Sequence, residues 1–312
     1  MKSKGVYLTG LAYELGDFYS IKEIDDLKEN HQLLKTLLML NLDKYSKSQL
    51  SASELAKNSI LQTMEKAQVS VKDIDVLVYA TNSFWNLGAG VTGTGLPEVA
   101  RLIDELALEK AYPIGINLSE CGNFHSAIRV AASLIKAEDC DNILIVTTDK
   151  NSEKERILQG TLSVLSDGAA SVLLTSSREK GEFELLCTSQ YMNSRVSYID
   201  PTTPEFMEET IEGVRQTANI ALKKINKEPK NFRQLITNCY NISVSRTFCH
   251  VLGFNQAQTY TKNIPRFAHA WASDNIINLH DFSSESPLLT DELAMLIGTG
   301  SSGWGCSLLS KT

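Results

Sequence analysis

Residues 112–137 constrain the fold of this chain more than any other stretch. They begin with an apolar run at 114–118, whose length is typical of a buried strand. A polar turn follows, Ser119-Glu120-Cys121-Gly122. Apolar residues then recur at helical spacing along one stripe: Phe124, Ile128, Ala131, Ala132 and Ile135. The pattern predicts a buried strand that turns directly into an amphipathic helix.

Cys121 lies where this strand gives way to the helix N-terminus. Free backbone N–H groups and the positive end of the helix dipole stabilise a thiolate at such a position. Cys121 is therefore a candidate nucleophile. The alternative is that it is a small buried hydrophobe, which is the commoner role of a cysteine.

The composition is that of a globular enzyme-sized protein. With 312 residues, 43% of them hydrophobic, the chain suits two domains or one large domain with two similar halves. The net charge of −7 argues against nucleic acid as a partner. The six cysteines include no CxxC pair and no zinc-ligand spacing, so we expect reduced thiols and no metal. No signal-peptide pattern and no run of about 18 apolar residues is present, so we expect a cytoplasmic protein without membrane segments.

The second half of the chain repeats the order of the first. Residues 51–83 read as helix, polar turn, strand and loop, and residues 205–241 repeat that order. His269 then opens a helix as Cys121 does. The duplication predicts an α/β protein with halves at 1–178 and 179–312, and with helices between and outside two sheets. On this interpretation a pseudo-two-fold axis brings Cys121 and His269 together.

The residue pattern also predicts the secondary structure of two other segments. Residues 20–48 have a charged helical pattern, and the strand near 183–188 reads as the edge of a sheet.

Five stretches in order resemble the thiolase-fold condensing enzymes, specifically the ketoacyl-acyl-carrier-protein synthase III family. They are residues 52–81, INLSECGNFHSAI at 116–128, SDGAASVLL at 166–174, residues 236–254, and GTGSSGWG at 298–305. The resemblance covers nearly the whole chain and implies a five-layered α-β-α-β-α arrangement. It also implies a homodimer in which loop 82–96 contributes to the partner's pocket. No cofactor is implied, because the substrate itself is an acyl thioester of phosphopantetheine.

The resemblance assigns roles to particular residues. Cys121 takes up the acyl group, and its N–H and that of Gly300 form the oxyanion hole. The family's HxxN motif falls on Asn238-Cys239-Tyr240-Asn241, so Asn stands where the family has His. The usual Asn position is His269, which is followed five residues later by Asp274.

This HxxxxD pattern resembles a side branch of the family, the acyltransferases and starter-unit enzymes of natural-product pathways. These use a Cys-His-Asp set, so we predict Cys121, His269 and Asp274 as catalytic residues that transfer an acyl group to O, N or S.

Two alternatives stay open at this point. Asn238 is a candidate second donor beside His269, which would allow a decarboxylating synthase that forms a carbon–carbon bond. The exchanged Asn238 also fits an inactive partner subunit of an active paralogue. Four further residues are candidates for the pocket: His125, Cys239, Tyr240 and Trp271.

The identity of the acyl donor is indicated by a difference between this sequence and the family's CoA-binding stretch. Family members that take CoA carry a Trp…Arg-Thr-Gly-Ile stretch near residues 30–40, whereas this chain has HQLLKTLLMLNLDKYS, without Trp or Arg. An acyl carrier protein is therefore the favoured donor over CoA. Since carriers are acidic, a local basic patch is needed, and the candidates are Arg246, Arg215, Lys223 and Lys224.

Overall fold

A computed structural model of the protein describes residues 4–83, 96–152 and 154–312. Within these ranges the fold is mixed α/β. The strands are β1 Tyr7–Leu15, β2 Asp17–Ser20, β3 Lys44–Lys47, β4 Val76–Ala80, β5 Tyr112–Ile116, β6 Asn142–Asp149, β7 Ile157–Leu158, β8 Ser163–Val164, β9 Gly168–Thr175, β10 Phe183–Met192, β11 Phe232–Ile236, β12 Leu293–Thr299 and β13 Gly303–Lys311.

The α-helices alternate with these strands. They are α1 Asp25–Glu29, α2 His31–Met39, α3 Ala52–Ala67, α4 Leu96–Glu105, α5 Asn123–Lys136, α6 Pro204–Ile225, α7 Ile242–Val251, α8 Ile264–Phe267 and α9 Asp274–Glu285. Short 3-10 turns, Glu120–Gly122 and Trp271–Ser273, lead directly into α5 and α9.

In the part of the chain that the structure describes, nine strands form one sheet in the order β11-β12-β13-β10-β1-β9-β6-β4-β5. Its two parts meet where β1 pairs with β10, through Tyr7 opposite Glu184 and Leu8 opposite Phe183. The prediction that β10 is an edge strand is wrong. This strand pairs along most of its length with β13 and also with β1, so it lies in the middle of the sheet.

The element order of the first part recurs in the second. The series β1, α3, β4, α4, β5, α5, β6, β9 corresponds to β10, α6, β11, α7, a single bridge, α9, β12, β13. The bridge joins Leu235 to Thr259 in parallel, at the position that β5 occupies beside β4. Helices α5 and α9 therefore have equivalent places in the two series. The division at residue 178 stays a prediction.

Helix α3 forms where its sequence pattern predicts it. The Ser51 side chain accepts from the Glu54 N–H, and the Glu54 carboxylate accepts from the Ser51 N–H, which is a capping box. The apolar stripe of Leu55 and Ile60 is fully buried. Residues 20–48, by contrast, do not form one helix. Asn30 caps α2 through a bond from the Leu33 N–H, and the flanking segments pair as β2 and β3.

Strand β5 is not the buried strand that its apolar run predicts. Among the strands of the described residues it pairs with β4 alone and is the outermost. Tyr112 in this strand is 72% exposed, and Leu118, which follows it, is 93% exposed. The apolar run thus marks the edge of the sheet in the single chain.

A buried ion pair fixes the segment that precedes β9. The guanidinium of Arg156 donates to both oxygens of Asp167, at 2.7 and 3.1 Å. The same carboxylate accepts from the backbone N–H groups of Ser48 and Asn151. This is a bidentate charge pair in a low-dielectric setting, with further donors on the acid.

Replacing Arg156 by Met is expected to lower the free energy of unfolding by about 3 kcal/mol, because Asp167 is left buried and without its cation. Urea denaturation measures the change. Lys262→Met is the matched control, since Lys262 pairs with Glu285 on the surface, and it should lose less than about 1 kcal/mol. Equal losses in the two variants would contradict this assignment.

Candidate active site

Cys121 is presented by a short turn between β5 and α5. The Gly122 N–H donates to the Ser119 carbonyl at 2.8 Å, and the Ser119 N–H donates to the side chain of Asn123 at 2.9 Å. Glu120 has a φ of 47°, in the left-handed region that non-glycine residues rarely adopt. These constraints fix the direction of Cys121, whose side chain is buried with 5% exposure.

The structure brings Cys121, His269 and Asp274 into one hydrogen-bonded chain. The Cys121 Sγ lies 3.1 Å from Nε2 of His269, and Nδ1 of the same ring lies 2.5 Å from Oδ2 of Asp274. His269 and Asp274 are fully buried. The arrangement is that of a nucleophile, a base and an orienting carboxylate.

The backbone around His269 is held by the segment that precedes β9. The His269 N–H donates to the Val164 carbonyl at 3.0 Å, and the His269 carbonyl accepts from the Ser166 N–H at 2.8 Å. The site therefore depends on a contact between the two parts of the molecule. The buried Arg156–Asp167 pair lies next to this contact in the chain.

Asp274 is held by two backbone donors besides the imidazole. Its Oδ1 accepts from the Ala270 N–H at 2.8 Å, and its Oδ2 accepts from the Cys239 N–H at 2.7 Å. The carboxylate is the first residue of α9, where the helix dipole favours negative charge. It therefore stays fixed against Nδ1 of His269.

The surroundings favour a charged imidazole. Burial lowers the pKa of His269, but the charges of Asp274 and Cys121, together with their hydrogen bonds, outweigh burial and raise it to about 10. At neutral pH the imidazole is therefore protonated, and its Nε2–H faces Sγ of Cys121. A positive charge at this distance favours negative charge on a sulfur atom.

Gly300 lies in the turn between β12 and β13, beside the Cys121 turn. A Cβ at this position would come within 2.8 Å of the Ser119 carbonyl, so only glycine fits without movement. Its N–H already donates to the Gly303 carbonyl at 2.7 Å. The oxyanion role predicted for Gly300 therefore requires this turn to open.

The Asn238 side chain is engaged by the backbone on both sides of its amide. Its Nδ2 donates to the Trp271 carbonyl at 3.2 Å, and its Oδ1 accepts from the Thr299 N–H at 3.0 Å. These bonds tie the end of β12 to the turn that follows His269. The second-donor role of Asn238 stays a prediction.

A cavity of about 270 Å³ reaches Cys121. Tyr240 and Trp271 line it, as predicted for the pocket. The Tyr240 hydroxyl donates to the Thr299 carbonyl at 2.8 Å, and the Trp271 indole N–H donates to Asn151 at 2.8 Å. The main apolar walls are Leu158, Leu162, Phe206, Met207, Val244 and Phe248.

Two of the predicted pocket residues do not line this cavity. His125 is fully buried, with its ring nitrogens 2.9 Å from Ser307 Oγ and 3.0 Å from Asn275 Oδ1, and burial lowers its pKa to about 4. Cys239 is packed against the amide of Asn278, and burial raises the pKa of its thiol. Both side chains are therefore buried in the interior, outside the cavity lining.

Glu120 also lines the cavity, and the sequence reasoning missed it. Its position immediately before the predicted nucleophile was the available clue. Nothing in residue spacing shows which way such a side chain points, because the positive φ at Glu120 sets that direction.

Two predictions concern contacts with other chains: a loop that reaches a partner's pocket and a basic patch for a carrier protein. Of the loop predicted to reach a partner's pocket, residues 84–95 lie outside the described residues. The four basic candidates for a carrier contact are exposed, and Arg215 pairs with Glu212.

In the described ranges no cluster of His, Cys, Asp and Glu suits a metal ion. Across the same ranges, no helix has the length and apolar character that crossing a bilayer requires.

Comparisons with known proteins agree with the predicted fold. Residues 117–193 match the family described as 3-oxoacyl-[acyl-carrier-protein (ACP)] synthase III. The chain is 21% identical over 267 residues to beta-ketoacyl-[acyl-carrier-protein] synthase III of Aquifex aeolicus (strain VF5), which covers 82% of each protein.

Solved structures extend the likeness to the whole chain. The crystal structure of 3-oxoacyl-[acyl-carrier-protein] synthase III from Aquifex aeolicus VF5 matches with a TM-score of 0.80 and 17% identity, covering 98% of this chain and 100% of that one. ChlB3, described as an acyltransferase, matches with a TM-score of 0.83 and 15% identity over 98% of both chains. The predicted thiolase-like α/β fold is thereby confirmed.

The raised pKa of His269 predicts how Cys121 reacts with iodoacetamide. The imidazole holds its proton until the pH approaches about 10, so at pH 7 a positive charge faces Sγ and favours attack by the sulfur. Asp274→Asn removes a charge that raises this pKa, so we expect alkylation at pH 7 to slow at least about tenfold. Equal alkylation rates of wild type and Asp274→Asn at pH 7 would contradict this role of Asp274.

Proposed function

We propose that this chain, a thiolase-fold relative of the ketoacyl-acyl-carrier-protein synthase III enzymes, is an acyltransferase. It forms an acyl thioester on Cys121 from the acyl-phosphopantetheine of a carrier protein or of CoA. It then passes the acyl group to an oxygen, nitrogen or sulfur acceptor, in natural-product or fatty-acid-like biosynthesis. The observation that carries the proposal is the buried Cys121–His269–Asp274 chain at the end of an apolar cavity.

In the proposed mechanism, the first half-reaction starts from an ion pair of a Cys121 thiolate and protonated His269. The Cys121 thiolate attacks the thioester carbonyl, and the carbon–sulfur bond to the pantetheine arm breaks. The leaving thiolate takes the proton from Nε2 of His269 and departs as a thiol. The imidazole is then neutral, and Asp274 holds its remaining proton on Nδ1.

The second half-reaction reverses the proton transfer. Nε2 of His269 accepts a proton from the acceptor as the acceptor attacks the acyl carbon. The bond to Cys121 breaks and the thiolate leaves, which restores the ion pair. Asp274 stabilises the imidazolium at that moment and fixes the ring orientation.

Decarboxylative condensation is the second candidate function, and the curated relative named as a beta-ketoacyl synthase favours it. That reaction needs two neutral donors to stabilise an enolate. In the acyl-enzyme His269 is neutral and holds its remaining proton on Nδ1 against Asp274, so its Nε2 accepts and does not donate. The Asn238 amide is bonded to the Trp271 carbonyl and the Thr299 N–H. These features favour simple acyl transfer.

An inactive partner subunit is the third candidate. Such a subunit has no need of a thiol, imidazole and carboxylate held in line within 3.1 Å, beside a cavity that reaches the sulfur. These features favour an active enzyme.

The donor is an acyl-phosphopantetheine, and the apolar cavity walls suit its acyl chain. Of the four basic candidates, Arg246 stands between the lining residues Val244 and Phe248 on α7 and is exposed. It is therefore our first candidate for a contact with a carrier protein in the cytoplasm.

We further propose a homodimer that forms at the β5 edge. An exposed edge strand presents unpaired backbone groups to a second chain. Exposed Tyr112 and Leu118 add apolar surface at the same edge, which a partner would cover.

Incubation with an acyl-carrier or acyl-CoA donor panel is expected to add one acyl mass to the protein. Cys121→Ala should abolish the adduct because it removes the nucleophile, and Asp274→Asn should slow its formation at least about tenfold. Intact mass spectrometry with peptide mapping gives both results. Cys140→Ala, which removes a half-buried cysteine between α5 and β6, is the matched control and should acylate as wild type does. Adducts that persist in Cys121→Ala would contradict the proposal.

A further inference from the structure

We propose that Glu120 is a specificity-determining residue that binds the acyl acceptor, and that this acceptor is a primary amine. The inference deepens the proposed acyltransferase function and rests on it. It follows from the position of one carboxylate in the cavity and from the charges around the cavity.

Glu120 stands beside the nucleophile with one oxygen fixed. Its Oε2 accepts from the backbone N–H of Ser301 at 2.6 Å and from the Ser301 hydroxyl at 2.7 Å. Within the part of the chain that the structure describes, no residue hydrogen-bonds Oε1. The carboxylate therefore has an anchored oxygen and a second oxygen available to a ligand in the cavity that Cys121 shares.

Among the described lining residues of the cavity, Glu120 is the one Asp, Glu, Lys or Arg. A carboxylate in such apolar surroundings is stabilised by a cation that donates hydrogen bonds to it, and a primary ammonium does so.

One part of the cavity lining comes from a segment rich in carboxylates. Residues 200–210 contribute Pro201, Phe206, Met207 and Thr210 to the lining, and the four charged residues of this segment are Asp200, Glu205, Glu208 and Glu209. Arg246 on α7 is a basic side chain that stands between two other lining residues, Val244 and Phe248. The negative charge of the first segment favours a cationic acceptor beside it.

The proton balance of transfer to an amine uses both Glu120 and His269. An ammonium must lose two protons to become an amide. The first passes to Glu120 and from there to solvent, which leaves a neutral amine beside the acyl carbon. The second passes to Nε2 of His269 as the carbon–nitrogen bond forms and the carbon–sulfur bond to Cys121 breaks.

The first experiment measures binding to the full unacylated chain by calorimetry, with hexylamine and 1-hexanol as probes of equal length. We expect hexylamine to bind at least tenfold more tightly than 1-hexanol, with an affinity that falls as salt rises. Glu120→Gln keeps an oxygen for Ser301 but removes the charge, so it should weaken hexylamine binding at least tenfold and leave 1-hexanol binding alone. Glu179→Gln, at an exposed turn, is the matched control and should bind as wild type does.

The second experiment follows the loss of a preformed acyl adduct as either probe is added. Hexylamine should discharge the wild-type adduct with saturation, and Glu120→Gln should raise the half-saturating concentration at least tenfold. Glu120→Asp, which keeps the charge, should lie between the two. Equal binding of the two probes, or no change in Glu120→Gln, would overturn the inference. Amine binding without any acyl adduct in wild type would instead contradict the proposed function and leave Glu120 as an amine site.

Discussion

The hydrogen bond between Nδ1 of His269 and Asp274 is the interaction on which the site depends. This bond holds the ring so that Nε2 faces the Cys121 sulfur. The charge of Asp274 raises the pKa of the fully buried imidazole and so keeps the ring protonated. A lone buried imidazolium would be costly, whereas one that is hydrogen-bonded to a carboxylate is stabilised. The nucleophile is therefore activated by a partner that belongs to the other half of the element series.

The rest of the fold serves this contact. The turn before α5 and the turn before α9 have equivalent places in the two series, so the duplication brings two helix N-termini together. The segment that precedes β9 then clamps the His269 backbone, and the Arg156–Asp167 pair fixes that segment. Chemistry and stability are thus coupled through a few buried polar contacts.

The sequence predicted the parts of the fold that depend on local pattern. The Ser51 cap and the apolar stripe predicted α3, and the duplication with the family resemblance predicted that Cys121, His269 and Asp274 meet. Sheet neighbours were harder to predict. The apolar run in β5 looks buried in sequence, yet its position as the outermost strand depends on the order of strands far along the chain.

The directions of side chains at the turns could not be predicted from the sequence either. His125 is four residues after Cys121, a spacing that shares a face in a regular helix, but the turn at Glu120–Gly122 is a 3-10 turn with a positive φ. His125 consequently points into the core. The bond from the Gly300 N–H to Gly303 closes a turn whose geometry no motif encodes.

The central claim is that this site transfers acyl groups without forming a carbon–carbon bond. The most direct measurement loads Cys121 with an acyl group and then adds malonyl-carrier-protein labelled with carbon-13 in its free carboxyl group. We predict that no labelled carbon dioxide is released and that the acyl group leaves only to an O, N or S acceptor. Labelled carbon dioxide released in proportion to acyl-enzyme consumed would contradict acyl transfer as the function of this site.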